Sequence, residues 1–118
     1  MQNIFPTLTY RDADAAIAWL QRVFGFTEHA VHRGEDGQVV HAELAWRGDL
    51  VMLGVARDEP RPSALYLVVD DADGAHSRAV EAGARITRPL TDTDYGSRDF
   101  SVEDPEGNTW HLGTYRPA

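Results

Sequence analysis

The sequence predicts an α+β fold: two βαβββ modules whose sheets form a cup, with the helices on the outer face. Three observations carry that expectation. Asp12-Ala13-Asp14-Ala15-Ala16 returns as Asp71-Ala72-Asp73-Gly74-Ala75 (71 − 12 = 59), and Leu53-Gly54 returns as Leu112-Gly113 (112 − 53 = 59), so one pattern runs twice. Each copy holds one stretch apolar at helical spacing, flanked by segments that alternate apolar and polar. The only linker-like stretch, Asp58-Glu59-Pro60-Arg61-Pro62, falls at mid-chain. One copy alone is near the size at which a hydrophobic core becomes marginal. Residues 1–118 are therefore read as a single domain: module one at about 1–57, the linker at about 58–62, module two at about 63–118.

In chain order, Ile4, Pro6, Leu8 and Tyr10 alternate with Phe5, Thr7 and Thr9, a strand with Pro6 near its start, where a missing N–H is tolerated. Asp12 is placed to cap a helix whose Ala13, Ala16, Ile17, Leu20 and Phe24 share one face, and Gly25 to end it. Strands follow at about 27–33, 38–46 and 49–55, joined through Glu35-Asp36-Gly37 and a tight Arg47-Gly48 turn. Module two repeats the order: a strand over 64–70, a helix ending at Gly83, then further strands. Its last two form a hairpin, in which Phe100 and Val102, then Trp110 and Leu112, alternate with polar residues around Asp104-Pro105-Glu106-Gly107-Asn108.

Parity sorts the strands into two faces. The helix-covered set is Leu8, Tyr10, Ala42, Leu44, Val51, Leu53, Leu65, Leu67, Val69, Phe100, Val102, Trp110 and Leu112. The opposite set includes Phe5, His41, Glu43, Met52, Tyr66, Asp99, Ser101, Glu103, His111 and Tyr115, too aromatic for plain solvent exposure; curved sheets would wrap it around a cavity. His29 and His32 have opposite parity on an edge strand, so both are expected at the surface, unable to chelate together. His76 matches Ile17 in the repeat and is expected to pack.

Composition narrows the chemistry. No cysteine is present, which excludes disulfides, thiolate catalysis and cysteine-ligated metal. All 11 basic residues are arginine, so no lysine amine is available for Schiff-base chemistry. The net charge of −8 argues against nucleic acid and anionic membrane and favours a cationic small ligand. No apolar run approaches membrane-spanning length and the first residues lack a signal-peptide pattern, so a cytoplasmic protein is expected. No Ser–His–Asp order, phosphate-binding loop or dinucleotide fingerprint occurs.

The paired βαβββ pattern, V-D-D-A-D-G-A at the second helix, A-V-E-A-G-A at its end and D-P-E-G-N-T-W-H-L resemble the vicinal oxygen chelate superfamily over essentially the whole chain. That superfamily includes glyoxalase I, extradiol dioxygenases, fosfomycin-resistance transferases and bleomycin-resistance proteins. The resemblance implies a cup built from two modules, usually in a dimer, and in the metalloenzymes one ligand on the first and one on the last strand of each module. Matched by motif, those ligand positions fall on Phe5, Met52, Ala64 and His111. Phenyl, thioether and methyl groups supply no donor suited to a hard or borderline cation. No metal and no cofactor are therefore expected.

His41, Glu43 and His111 share a predicted face, as would suit a two-histidine, one-carboxylate site, but a hydrogen-bonded polar cluster is the preferred reading. Glu43 with Glu103 or Asp99 is an acid–base alternative, set below ligand-orienting carboxylates. The function expected is that of the bleomycin-resistance branch, binding or sequestering a flat, cationic, antibiotic-like molecule without chemistry on it. Phe5, Met52, Tyr66, His111 and Tyr115 would form its walls; His41, Glu43, Asp99, Ser101 and Glu103 its polar contacts. The alternative is a divergent lyase, isomerase or hydrolase using His111 and Glu43. A homodimer is expected, with no nucleic-acid or membrane partner.

Overall fold

The computed structural model describes residues 1–117, which divide into two compact units, Met1–Arg61 and Pro62 onward, separated within the expected linker. The first unit contains β1 (Thr7–Tyr10), α1 (Ala13–Phe24), β2 (Thr27–Arg33), β3 (Val39–Trp46) and β4 (Asp49–Val55). The second contains β5 (Ala64–Val68), α2 (Ala72–Glu81), β6 (Arg85–Asp92), β7 (Arg98–Glu103) and β8 (Thr109–Gly113). The sheet orders are β1-β4-β3-β2 and β5-β8-β7-β6, each with one parallel pair, β1·β4 and β5·β8, beside antiparallel neighbours. The repeat is thus a repeat of topology. No helix among the described residues is long and apolar enough to cross a membrane.

The caps repeat with the elements. Asp12 accepts a hydrogen bond from the Ala15 amide at 3.0 Å and Asp71 one from the Gly74 amide at 3.0 Å, each satisfying an orphan donor of a first turn. After α1, Gly25 takes φ 82° and its amide reaches the Gln21 carbonyl, the left-handed stop that a side chain disfavours. The second helix is shorter and stops at Glu81, with Gly83 taking the positive φ two residues later.

Burial follows the parity reading. Of the covered set, Leu8, Tyr10, Ala42, Leu44, Val51 and Leu53 are buried in the first unit; Leu67, Val69, Phe100, Val102, Trp110 and Leu112 in the second; only Leu65 is half-exposed. His76 packs edge-on against Phe100 with ring centroids 5.2 Å apart, the packing role expected of it. The first strand differs from expectation. It starts at Thr7, not Ile4, so Phe5 lies before the strand rather than on it. Pro6 has no N–H for the ladder, and its carbonyl alone joins, accepting from the Met52 amide at 2.9 Å.

Within the β7–β8 hairpin the D-P-E-G-N run is a clasp around one buried carboxylate. Asp104 accepts from the amides of Glu106 and Asn108, the Asn108 side-chain amide and the Trp110 indole N–H. Asn108 in turn accepts from the Ser63 amide at 2.8 Å, tying the turn to the start of β5. The motif that carries the resemblance is therefore structural chemistry.

Candidate functional site

Strand register lays the open face of the second sheet out in rows. Tyr66 on β5 pairs with His111 on β8, which pairs with Ser101 on β7, beside Arg88 on β6. Toward the β8 C-terminus, Val68, Gly113 and Asp99 form the next row; toward its start, Ala64, Thr109 and Glu103. Side chains one strand apart in a row lie close enough to interact.

Asp99 is the buried hub of this face. One carboxylate oxygen accepts from the Ser97 hydroxyl, the other from the Tyr95 hydroxyl at 3.1 Å, and the Arg88 guanidinium lies 4.0 Å away. The Ser97 hydroxyl oxygen also accepts from the Tyr115 amide at 3.0 Å, and the Tyr66 hydroxyl donates to the Tyr115 carbonyl at 2.6 Å. Tyr95 and Tyr115 meet edge to face, 5.8 Å between centroids. Tyr66, Tyr95 and Tyr115 are all exposed, so three phenol rings stand over a carboxylate that is itself inaccessible. Partial burial pushes the Tyr66 phenol up from its ordinary value, and the charge of Asp99 acts in the same direction.

Gly113 makes this packing possible. A Cβ there would lie 2.7 Å from the Tyr66 hydroxyl and closer still to the Asp99 carboxylate. In the adjacent row the Ser101 hydroxyl and His111 Nδ1 are 2.7 Å apart, with Ser101 buried and His111 half-exposed. Glu103 is half-exposed, its carboxylate 3.7 Å from the Arg85 guanidinium.

The first sheet presents a different face. Thr7, Met52, Glu43 and Ala30 form one row; Thr9, Gly54, His41 and His32 the next. His41 Nε2 and Glu43 Oε2 are 3.0 Å apart, joining two of the three residues of the expected polar cluster while His111 pairs with Ser101 on the other sheet, and the His32 and His41 rings stack at 5.9 Å. The parity expectation for β2 is corrected here. A register shift between Glu28 and Ala30 inserts an extra residue, and His29 turns toward Glu43, with 3.9 Å between Nε2 and Oε1. His29 and His32 therefore both stand with His41 and Glu43, as a bulge re-aims side chains that strict alternation would separate.

The metal implied by the resemblance does not fit these residues. Phe5, Met52 and Ala64 bring no donor suited to a hard or borderline cation, the remaining matched position, His111, has Nδ1 engaged by Ser101, and among the described residues no group of three histidine or carboxylate side chains is arranged to hold an ion. Nor do the described residues contain a buried side-chain polar atom without a partner.

Of the residues named from sequence, the structure brings Tyr66, Asp99, Ser101, Glu103 and His111 onto one sheet face, with Tyr115 just past β8 against the same cluster. His41, Glu43 and Met52 share the face of the other sheet, and Phe5 precedes it. Sequence reasoning missed Tyr95 and Ser97, which sit in the loop before β7 where period-2 parity gives no facing. It also missed Arg88, since β6 reads ambiguously around Pro89.

A protein-family model described as Glyoxalase/Bleomycin resistance protein/Dioxygenase superfamily matches residues 5–112. An uncharacterized protein of Mycobacterium bovis is 33% identical, over 92% of this chain and 80% of its own length; one of Mycobacterium tuberculosis is 33% identical over 92% and 71%. Among solved structures the chain is similar to TioX from Micromonospora sp. ML1, with TM-score 0.90 and 30% identity over 98% of this chain and 100% of that one. A glyoxalase-related enzyme from Clostridium phytofermentans shares the fold at TM-score 0.79 and 17% identity, covering 96% and 94%.

Proposed function

Because the chain belongs to the glyoxalase/bleomycin resistance protein/dioxygenase superfamily and lacks donors suited to a hard or borderline cation at three of the four matched ligand positions, we propose that it binds a flat, cationic small molecule and leaves it chemically unchanged. The observation that carries this reading is the open face of the second sheet, where Tyr66, Tyr95 and Tyr115 expose their rings beside the half-exposed His111. Aromatic faces attract both planar rings and cations, at about 0.5–2 kcal/mol per well-placed contact. At the upper end of that range four such contacts with water excluded approach micromolar affinity. The acidic balance of the chain, net charge −8, favours the cation. The protein is proposed to act in the cytoplasm, as a homodimer.

Calorimetric titration with a panel of planar basic antibiotics tests the reading, followed by mass spectrometry of the recovered ligand. Unchanged ligand and weaker binding by Tyr115→Ala are expected. Recovery of a modified ligand would make this an enzyme, with His111 and Glu43 the first residues to substitute. Binding that survives loss of both Tyr66 and Tyr115 would put the ligand on another surface.

A further inference from the structure

The Ser101–His111 pair specifies more than proximity. Among the described residues the Ser101 hydroxyl has one polar partner, His111 Nδ1 at 2.7 Å, and Ser101 is only 3% exposed. Two proton arrangements share that heavy-atom geometry. If Nδ1–H donates to Oγ, the hydroxyl hydrogen is buried with no acceptor, at a cost large enough to decide the matter. If the hydroxyl donates into the Nδ1 lone pair, both groups are satisfied, and the neutral imidazole must carry its proton on Nε2.

We infer that Ser101 is a positioning residue that holds neutral His111 as the Nε2–H tautomer, so that the open face offers a directed N–H donor selecting ligands with a carbonyl-type oxygen acceptor. Ser101 acts through His111 and does not itself touch the ligand. The acceptor it selects lies beside an aromatic ring, since the cross-strand neighbour of His111 on the other side is Tyr66. The same tautomer has no lone pair at Nε2, which makes His111 a poor cation ligand despite its matched position. The selectivity rests on the binding reading of this face; the tautomer does not.

The experiment has two arms. Long-range proton–nitrogen correlation spectra of the histidine-15N-labelled protein, recorded above the imidazole titration, are expected to show His111 protonated at Nε2 and bare at Nδ1. The reverse pattern overturns the inference. Ser101→Ala should give averaged shifts from exchanging tautomers and Ser101→Thr should restore the wild-type pattern; the wild-type spectrum decides even if Ser101→Ala fails to fold. The second arm compares 2-(aminomethyl)anthraquinone with 2-(aminomethyl)anthracene, planar cations that differ in the ring carbonyls. The wild type should bind the quinone about tenfold more tightly, the value of one directed hydrogen bond, and Ser101→Ala should lose that preference. Equal affinity for the two probes overturns the selectivity. If neither binds, the binding reading of the face falls and the selectivity with it, while the spectra still decide the tautomer.

Discussion

Tyr66 joins the chemistry of the open face to measurable stability. Its phenol is pushed above the ordinary value of 10.0, first by partial burial. An acid whose folded pKa exceeds its unfolded one binds more protons in the native state between the two values, so stability falls as pH rises through that window. The contribution is fully present below pH ~10 and is lost above it. Urea denaturation across the alkaline range should therefore show a decline that Tyr66→Phe makes shallower; an unchanged slope would mean that the phenol ionises as freely folded as unfolded. Asp99 belongs to the same cluster in another role. Its two oxygens accept from Ser97 and Tyr95, and burial holds its charge beneath the exposed rings.

Among the elements, the repeat supplies its own control. Gly54 and Gly113 occupy matching places on β4 and β8, yet a Cβ at Gly54 meets nothing within 4 Å while one at Gly113 runs into Asp99 and Tyr66. Gly113→Ala should cost about 1–3 kcal/mol by overpacking, and Gly54→Ala should stay within about 0.5 kcal/mol. Denaturation midpoints of the two variants measure the contrast, and equal costs would remove the packing explanation. Asp104→Ala should be more damaging, about 2–4 kcal/mol, because it removes the buried carboxylate that accepts from the Trp110 indole N–H and from two turn amides. These contrasts mark what the sequence made legible. Alternation separated Leu112 from His111 and Phe100 from Ser101, because a pleated strand with one dry face leaves a period of two. It failed at His29, where the bulge adds a residue that composition does not announce, and at Tyr95 and Ser97, whose facing is set by a loop folded back through Thr93. That Asp99 is buried while Glu103 is half-exposed was equally illegible, since both have the same parity and differ only in what covers them.

For the whole molecule, the four sheet edges bear on assembly. β2 carries Glu28, Arg33 and a bulge, and β6 carries Arg85, Arg88, Pro89 and register shifts, all features that discourage edge pairing. The parallel-paired edges, β1 with Thr-Leu-Thr-Tyr and β5 with Ala-Leu-Tyr-Leu-Val, have no charge and no bulge. Ile4 and Phe5, just before β1, are exposed as well. An uncharged apolar edge is a liability unless something covers it, and a two-fold copy of the same chain is one such cover. A homodimer is thus expected, with twice the 13.1 kDa chain mass by light scattering from micromolar to sub-micromolar concentration. Ala64→Lys places a charge at the exposed start of β5, outside the buried core, and should shift the mass toward the monomer without unfolding the chain. A monomer mass for the wild type at every concentration would show that these edges need no second chain, and would restrict any ligand site to surfaces that one chain supplies alone.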